Sequence, residues 1–224
     1  TDTGSDLLNG STTVVGTNRY TPMVCNRLTL AQPGQQLITS FTWSSTNHNA
    51  AALTPTTSIT FYDDSGASGG PGVRLGNTNG AYYSGGNYGT ALNPGTNYFT
   101  GNPFGYTATY VPAPSGGGNA NVWACLYYYG ASASFTDAQL SNLGMEKFTN
   151  APTSGSTTDL AFISTGAPNG GSGIWVDNPP GSLVAGTGVA NVFAWELTTL
   201  GTNIMFDSYQ MKNASGTAAT GTIA

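Results

Sequence analysis

Leu37-Ile38-Thr39-Ser40-Phe41-Thr42-Trp43 places the large rings of Phe41 and Trp43 between the small polar residues Ser40 and Thr42. A period of two puts alternate residues on opposite faces of a strand. The stretch therefore reads as β, with Phe41 and Trp43 turned toward a core and Ser40 and Thr42 turned away. The same pattern recurs outward along the chain at Pro22 to Leu28, Ser58 to Tyr62, Phe104 to Val111, Asn121 to Tyr127, Asp159 to Ile163, Gly173 to Val176, Val189 to Trp195 and Asn203 to Met211. Between these runs lie Gly- and Pro-rich segments, among them Gly66 to Gly72, Pro112 to Gly118 and Pro168 to Gly173. Glycine there supplies positive φ and proline withholds a ladder donor, so these segments read as loops. One helix signal stands out: Thr136-Asp137-Ala138-Gln139 has the form of a capping box, followed by Leu140, Leu143 and a stop at Gly144.

About eleven to thirteen short strands, closely spaced turns and one helix of two turns at most imply an all-β fold: a large, jelly-roll-like antiparallel β-sandwich with one short helix. No composition shift marks an internal boundary. Residues 1–16 read as an N-terminal extension or donor-strand candidate, and residues 17–224 as a single sandwich domain. With 224 residues, 38% of them hydrophobic and 11% aromatic, the chain can close a real core.

Charge is scarce. Only 7% of the residues are ionic, against roughly 25% in an average soluble domain, while Gly, Thr, Ser and Asn make up 105 residues, nearly half the chain. A disordered chain of this polarity is rich in charge and poor in aromatics, so disorder does not fit. Five Lys and Arg and a net charge of −5 leave no basic surface to displace phosphate counterions, which argues against nucleic acid as a partner. No run of 18 or more apolar residues is present, so no transmembrane segment is expected. The chain opens at Thr1 without Met, basic n-region or apolar h-region, and a processed mature form is the expectation.

Cys25 and Cys125 each fall in a strand-like stretch. Two readings stand: a disulfide, favoured by an extracellular setting, or two unrelated buried thiols. Asn9-Gly10-Ser11 and Asn213-Ala214-Ser215 match the N-glycosylation acceptor pattern and make Asn9 and Asn213 candidates, although chance matches are expected in so Asn- and Ser-rich a chain.

Chemistry-bearing residues are few: one His, eight Asp and two Glu. His48 sits alone in a polar loop, and with a single His and two cysteines expected to pair no zinc site of familiar spacing can be assembled. Gly66-Ala67-Ser68-Gly69-Gly70 matches G-x-S-x-G, but a nucleophile elbow needs a strand running into a helix, and here Pro71-Gly72 follows. Asp63-Asp64-Ser65-Gly66 is a weak calcium candidate through Asp63 and Asp64, with a plain Asx turn as the alternative; otherwise no cofactor is expected. Glu146, Glu196, Asp159, Asp177 and Asp207 are the carboxylates from which a glycosidase pair would have to come, and Glu196, at the end of a strand, is the first to inspect. No catalytic residue is assigned.

The aromatic residues Tyr82, Tyr83, Tyr88, Tyr127, Tyr128 and Tyr129 are candidates for sugar stacking or for contact with another subunit, with core filling as the alternative. In an alternating strand Tyr127 and Tyr129 share one face and Tyr128 takes the other. With so few charges to guard a dozen strands, the sheet edges are expected to be covered by glycan or loops, or to pair with copies of the same chain. Leu7, Leu8, Val14 and Val15 would suit a strand lent to the next subunit, an ordinary first strand being the alternative. A head-to-tail interface of that kind yields an open filament.

Ile59 to Val73, a strand ending in a Tyr-Asp-rich Gly-Pro-Gly loop, resembles a phrase in exported bacterial surface proteins of the PEP-CTERM type. Asn121 to Ala124 and Ser172 to Val176 are similar in flavour, and the resemblance spans about a third of the chain. It implies a secreted β-sandwich of the bacterial exterior. The sorting tail of that family is not found here, where the sequence ends Gly221-Thr222-Ile223-Ala224, and anchoring by that route is in doubt unless the tail was removed. The expected function is a secreted structural protein, a self-assembling subunit of an extracellular filament, pilus-like fibre or surface layer, with copies of itself and glycans as partners. A carbohydrate-binding module or adhesin domain is the alternative, and a glycoside hydrolase comes third.

Overall fold

The computed structural model describes residues 6–76, 86–101, 109–148, 156–166, 168, 175–185, 192–193, 195–201, 211–212 and 218–219. In the first half the strands are β1 (Asp6–Leu8), β2 (Thr13–Val15), β3 (Asn18–Tyr20), β4 (Val24–Pro33), β5 (Gln36–Asn47), β6 (Thr56–Asp63), β7 (Gly86–Tyr88), β8 (Gly95–Gly101) and β9 (Thr109–Val111). The second half holds β10 (Asn119–Ala131), α1 (Asp137–Ser141), β11 (Leu143–Phe148), β12 (Ser156–Ser164), β13 (Gly181–Ala185), β14 (Val192–Phe193), β15 (Trp195–Gly201), β16 (Met211–Lys212) and β17 (Ala218–Ala219). The protein is an all-β sandwich of antiparallel sheets. Its front sheet runs β1-β11-β5-β15, with β8 and β9 also on β5 and β14 on β11. The back sheet runs β13-β12-β4-β10-β3-β2, with β6 on β10 and β7 on β6. Among the described residues, strands β16 and β17 pair only with each other.

The quoted stretch lies in β5 and contains a break in its alternation. Phe41 and Trp43 are 1% exposed and face the back sheet, as the rings require. Ile38, of opposite parity, is also in the core. The β5–β15 register shifts here, pairing Ser40 with Thr198 but Ile38 with Thr199. The extra residue, Thr39, is exposed, and its hydroxyl donates to the Thr198 carbonyl. A bulge of this kind resets which parity faces inward.

Strand β10 shows why the back sheet is apolar on both sides. Its even residues Val122, Ala124, Leu126 and Tyr128 enter the core between the sheets, with Phe41, Trp43, Ile59 and Phe61. Its odd residues Trp123, Cys125 and Tyr127 enter a second cluster on the other face, with Tyr20, Met23, Cys25, Tyr62, Phe162 and Trp175. Residues 175 and 176, expected in a strand, lie in irregular chain, and Trp175 packs edge-on against Tyr127 at 6.2 Å between centroids. A strand buried on both faces reads as a near-continuous apolar run, as Asn121 to Tyr129 does.

The disulfide is formed: Cys25 and Cys125 stand opposite each other in the β4–β10 ladder with an S–S distance of 2.03 Å, and both are fully buried. The expected helix also forms. The Thr136 hydroxyl accepts from the Gln139 amide, and the Gln139 side chain accepts from the Thr136 amide, while Leu140 points into the core.

Burial has a consequence at high pH. It pushes the Tyr62 and Tyr128 hydroxyls well above the ordinary phenol range and Tyr88 up to about 12. The unfolded chain ionises its tyrosines near 10. The folded state therefore keeps this contribution in full below about pH 10, and loses it as pH rises through the higher folded values. In an alkaline titration followed by phenolate absorbance, one group of tyrosines should ionise near 10 and the buried ones only together with the loss of β-sheet circular dichroism. Complete ionisation near pH 10 with the sheet signal intact would contradict this packing.

Candidate functional site

The feature with the clearest bearing on function is the margin of the sandwich. Among the described residues, β8 and β9 each pair only with β5, β7 only with β6, β13 only with β12 and β2 only with β3. None of these five strands contains Asp, Glu, Lys, Arg or Pro, whereas β1 and β15, the ends of the front-sheet path, carry Asp6 and Glu196. Those are the residues by which sheet edges ordinarily resist strand addition. Exposed apolar and aromatic side chains lie along the same margins: Tyr98 (55% exposed) on β8, Tyr110 on β9, Leu183 on β13 and Val14 on β2. Tyr98 and Tyr110 stand out among the aromatic residues of the sequence but are not among its six stacking candidates. The available signal was alternation, since their neighbours Phe99 and Val111 pack inward.

Of the N-terminal segment, residues 6–16 are not a free extension. β1 pairs with β11, Leu7 opposite Met145 and Leu8 opposite Gly144, and β2 forms a hairpin with β3, Val14 opposite Arg19 and Val15 opposite Asn18. The donor-strand candidates are thus used within the chain. Leu8 and Val14 are exposed, and Val15 packs against the second cluster. The Thr12 amide and hydroxyl both donate to Asp137 on α1 and hold its carboxyl below the usual range, tying this segment to the helix.

Asn9 joins the two sheets. Its backbone amide donates to Leu143 at the start of β11, and its side-chain nitrogen donates to the carbonyls of Pro22 and Leu126 and to the Thr21 hydroxyl. At 1% exposure, with that nitrogen engaged, Asn9 offers no acceptor for glycan on the folded chain, which corrects the sequence expectation. Asn213 lies outside the described residues.

The tyrosine candidates divide. Tyr82 and Tyr83 lie outside the described residues. Tyr88 is half-buried against Phe41 and Trp43, with ring centroids 6.3 and 4.8 Å away. Tyr127 and Tyr128 are fully buried, one in each cluster, so neither is placed to stack on a sugar. Tyr129 stacks on Tyr20 at 5.2 Å and on Tyr127 at 6.1 Å and is half-buried.

The calcium candidate is also corrected. Asp63 accepts from the Ser65 amide and hydroxyl and from the Val73 amide, closing the loop as an Asx turn. Asp64 receives Arg27 in a two-point ion pair, the Asn121 amide at 3.2 Å and the Trp123 indole N–H at 3.0 Å. A guanidinium thus occupies the position beside the Asp64 carboxylate where a cation would have to sit. Among the described residues no group of three His, Cys, Asp or Glu gathers to hold a metal.

Of the other carboxylates, Asp177 accepts from the Arg74 amide at 2.9 Å. Asp159 lies in β12 and Glu196 in β15, opposite Thr42, and Asp207 is outside the described residues. Glu146, on β11, is 1% exposed and accepts from the Tyr98 hydroxyl across β5. His48 is exposed, and its amide donates to the Asn142 carbonyl.

No protein-family model, no curated protein and no solved structure matches the chain. No helix among the described residues is long and apolar enough to cross a membrane.

Proposed function

We propose that this chain is a structural protein of the cell exterior, a β-sandwich subunit that associates with its own copies through its sheet edges and carries no catalytic role. The observation that supports it most directly is the absence of charge and proline from β2, β7, β8, β9 and β13. Strands without such residues lack the usual guards against the addition of a further strand. The low ionic content, the buried disulfide and the resemblance to exported surface proteins point the same way. Edges of unlike sequence on the two sheets favour head-to-tail addition, for instance β8 of one copy beside β13 of the next, and such contacts stay open and grow.

The test is sedimentation velocity and negative-stain imaging of the wild-type chain and of Thr100→Lys and Leu183→Lys, which place a charge on the exposed side of β8 and β13. The wild type should form larger species as concentration rises. Each variant should move the onset of assembly to about tenfold higher concentration, roughly 1.4 kcal/mol, with its circular dichroism unchanged. A wild type that stays monomeric at high concentration would refute the proposal.

A further inference from the structure

Of the exposed large hydrophobic side chains described, Tyr98 is the most open, at 55%, yet it is held in place. Its hydroxyl donates to Oε2 of Glu146, a carboxyl that is 1% exposed. The Glu146 amide in turn donates to the Ser44 hydroxyl at 3.2 Å, and Ser44 stands opposite Tyr98 in the β5–β8 ladder. A surface ring ordinarily samples several rotamers; a hydrogen bond to a buried carboxyl fixes this one. Burying a carboxyl costs free energy, and here its described side-chain hydrogen bond goes to a ring open to solvent and not to the core.

The ring lies on the outer face of the front sheet, since its neighbour Phe99 packs inward. Tyr110 on β9, 40% exposed, leaves the same face, its neighbour Val111 being in the core. Tyr98 stands opposite Ser44 and Tyr110 opposite Leu37, so the two rings are strung along β5, roughly 20 Å apart at the ordinary strand rise. Between them Thr42 and Thr100 are directly opposed, and their hydroxyls meet at 3.2 Å on the exposed side. Each hydroxyl keeps capacity for further hydrogen bonds. Thr198, exposed on β15 opposite Ser40, adds another hydroxyl to this face. No residue of β5, β8 or β9 is charged.

We infer that this face binds an uncharged polysaccharide, with Tyr98 as a fixed stacking platform, Tyr110 as a second platform on the same line, and Thr42 and Thr100 as hydroxyl partners between them. The C–H face of a sugar ring meets the negative π-face of an aromatic ring, and its hydroxyls match those of threonine. Two rings in line, further apart than one sugar unit, suit a linear polymer. A strand face without cations, on a chain of net charge −5, disfavours an acidic one. A protein partner would call for apolar surroundings that shed water from the central ring, and the surroundings here are hydroxyls. Glu146 touches no sugar in this arrangement; it is a positioning residue that acts through Tyr98. The binding does not rest on edge association.

The test is native electrophoresis of the full chain through gels containing hydroxyethylcellulose, dextran, soluble starch or mannan, with alginate as the acidic counterpart. At least one uncharged polymer should retard the wild type, and alginate should not. Tyr98→Ala should weaken that binding about 30-fold and Tyr110→Ala about fivefold. Tyr98→Phe keeps the ring and loses the bond to Glu146, so a loss of about threefold to tenfold isolates the fixing of the ring. Leu183→Lys, which weakens assembly from the other sheet, should bind as the wild type does, so that failure of edge association and failure of this site read separately. Circular dichroism checks that each variant is folded; if Tyr98→Ala is not, Tyr110→Ala and Tyr98→Phe carry the test. No retardation by any uncharged polymer, stronger retardation by alginate, or undiminished binding in the folded tyrosine variants overturns the site. Binding lost in Tyr98→Ala but undiminished in Tyr98→Phe overturns the role given to Glu146.

Discussion

Replacing Cys25 and Cys125 together by Ala should lower the unfolding free energy by about 4–5 kcal/mol. The bridge joins residues 100 apart in sequence, so the unfolded chain loses the freedom of a long loop; the chain-entropy model puts this near 4.7 kcal/mol. The folded state contributes as well, because both sulfurs are fully buried in the second cluster, among Tyr20, Met23 and Tyr62, and Ala leaves part of that volume empty. For a chain of this size the melting midpoint should fall by about 10–15 °C. Urea unfolding of the double variant beside the oxidised wild type measures it. A loss under about 1 kcal/mol would mean that the bridge neither restrains the unfolded chain nor anchors the second cluster.

Trp123→Ala should cost about 4–5 kcal/mol by a different route. The ring is fully buried on the outer face of β10 and meets Phe162 edge-on at 6.4 Å, so its removal opens a cavity beneath the covering chain. It also takes the indole N–H from Asp64, the partly buried carboxylate that gathers Arg27, Asn121 and Trp123. Trp123→Phe separates the two terms. It keeps most of the packing and removes only the donor, so about 1–2 kcal/mol should remain. Equal losses in the two variants would place the whole effect in the hydrogen bond. A negligible loss in Phe would make the Asp64 contact incidental.

Much of the fold was legible because alternation is a local property. Phe41 and Trp43 on one face of β5, the opposed faces of Tyr127 and Tyr128 on β10, and the capping box at Thr136 all follow from neighbours within four residues. The bulge at Thr39 was not legible. Nothing in Ile38-Thr39-Ser40 distinguishes a residue squeezed out of register from one paired in it, and the shift is set by β15, some 160 positions away. For the same reason Asn9 read as a glycan acceptor: its three-residue pattern is local, whereas its hydrogen bonds to Pro22, Leu126 and Leu143 are not. Asp63 and Asp64 looked like a pair of calcium ligands because they are adjacent. Asp63 ends β6 and Asp64 begins the loop, and each had its own donors waiting, Ser65 and Val73 for the first and Arg27 and Trp123 for the second.

By itself the sequence determined the β character, the position of the short helix at Thr136, the pairs of residues that share a strand face and the scarcity of charge. Tertiary structure alone decided which faces are covered. A second apolar cluster capped by Trp175, the enclosure of Tyr127, the engagement of β1 and β2 within the chain and the meeting of Glu146 with Tyr98 all depend on segments distant in sequence. Periodicity reports the direction in which a side chain leaves its own strand. Whether it then meets water, a ring or a hydrogen-bond partner depends on long-range pairing, whose register no window of neighbouring residues encodes.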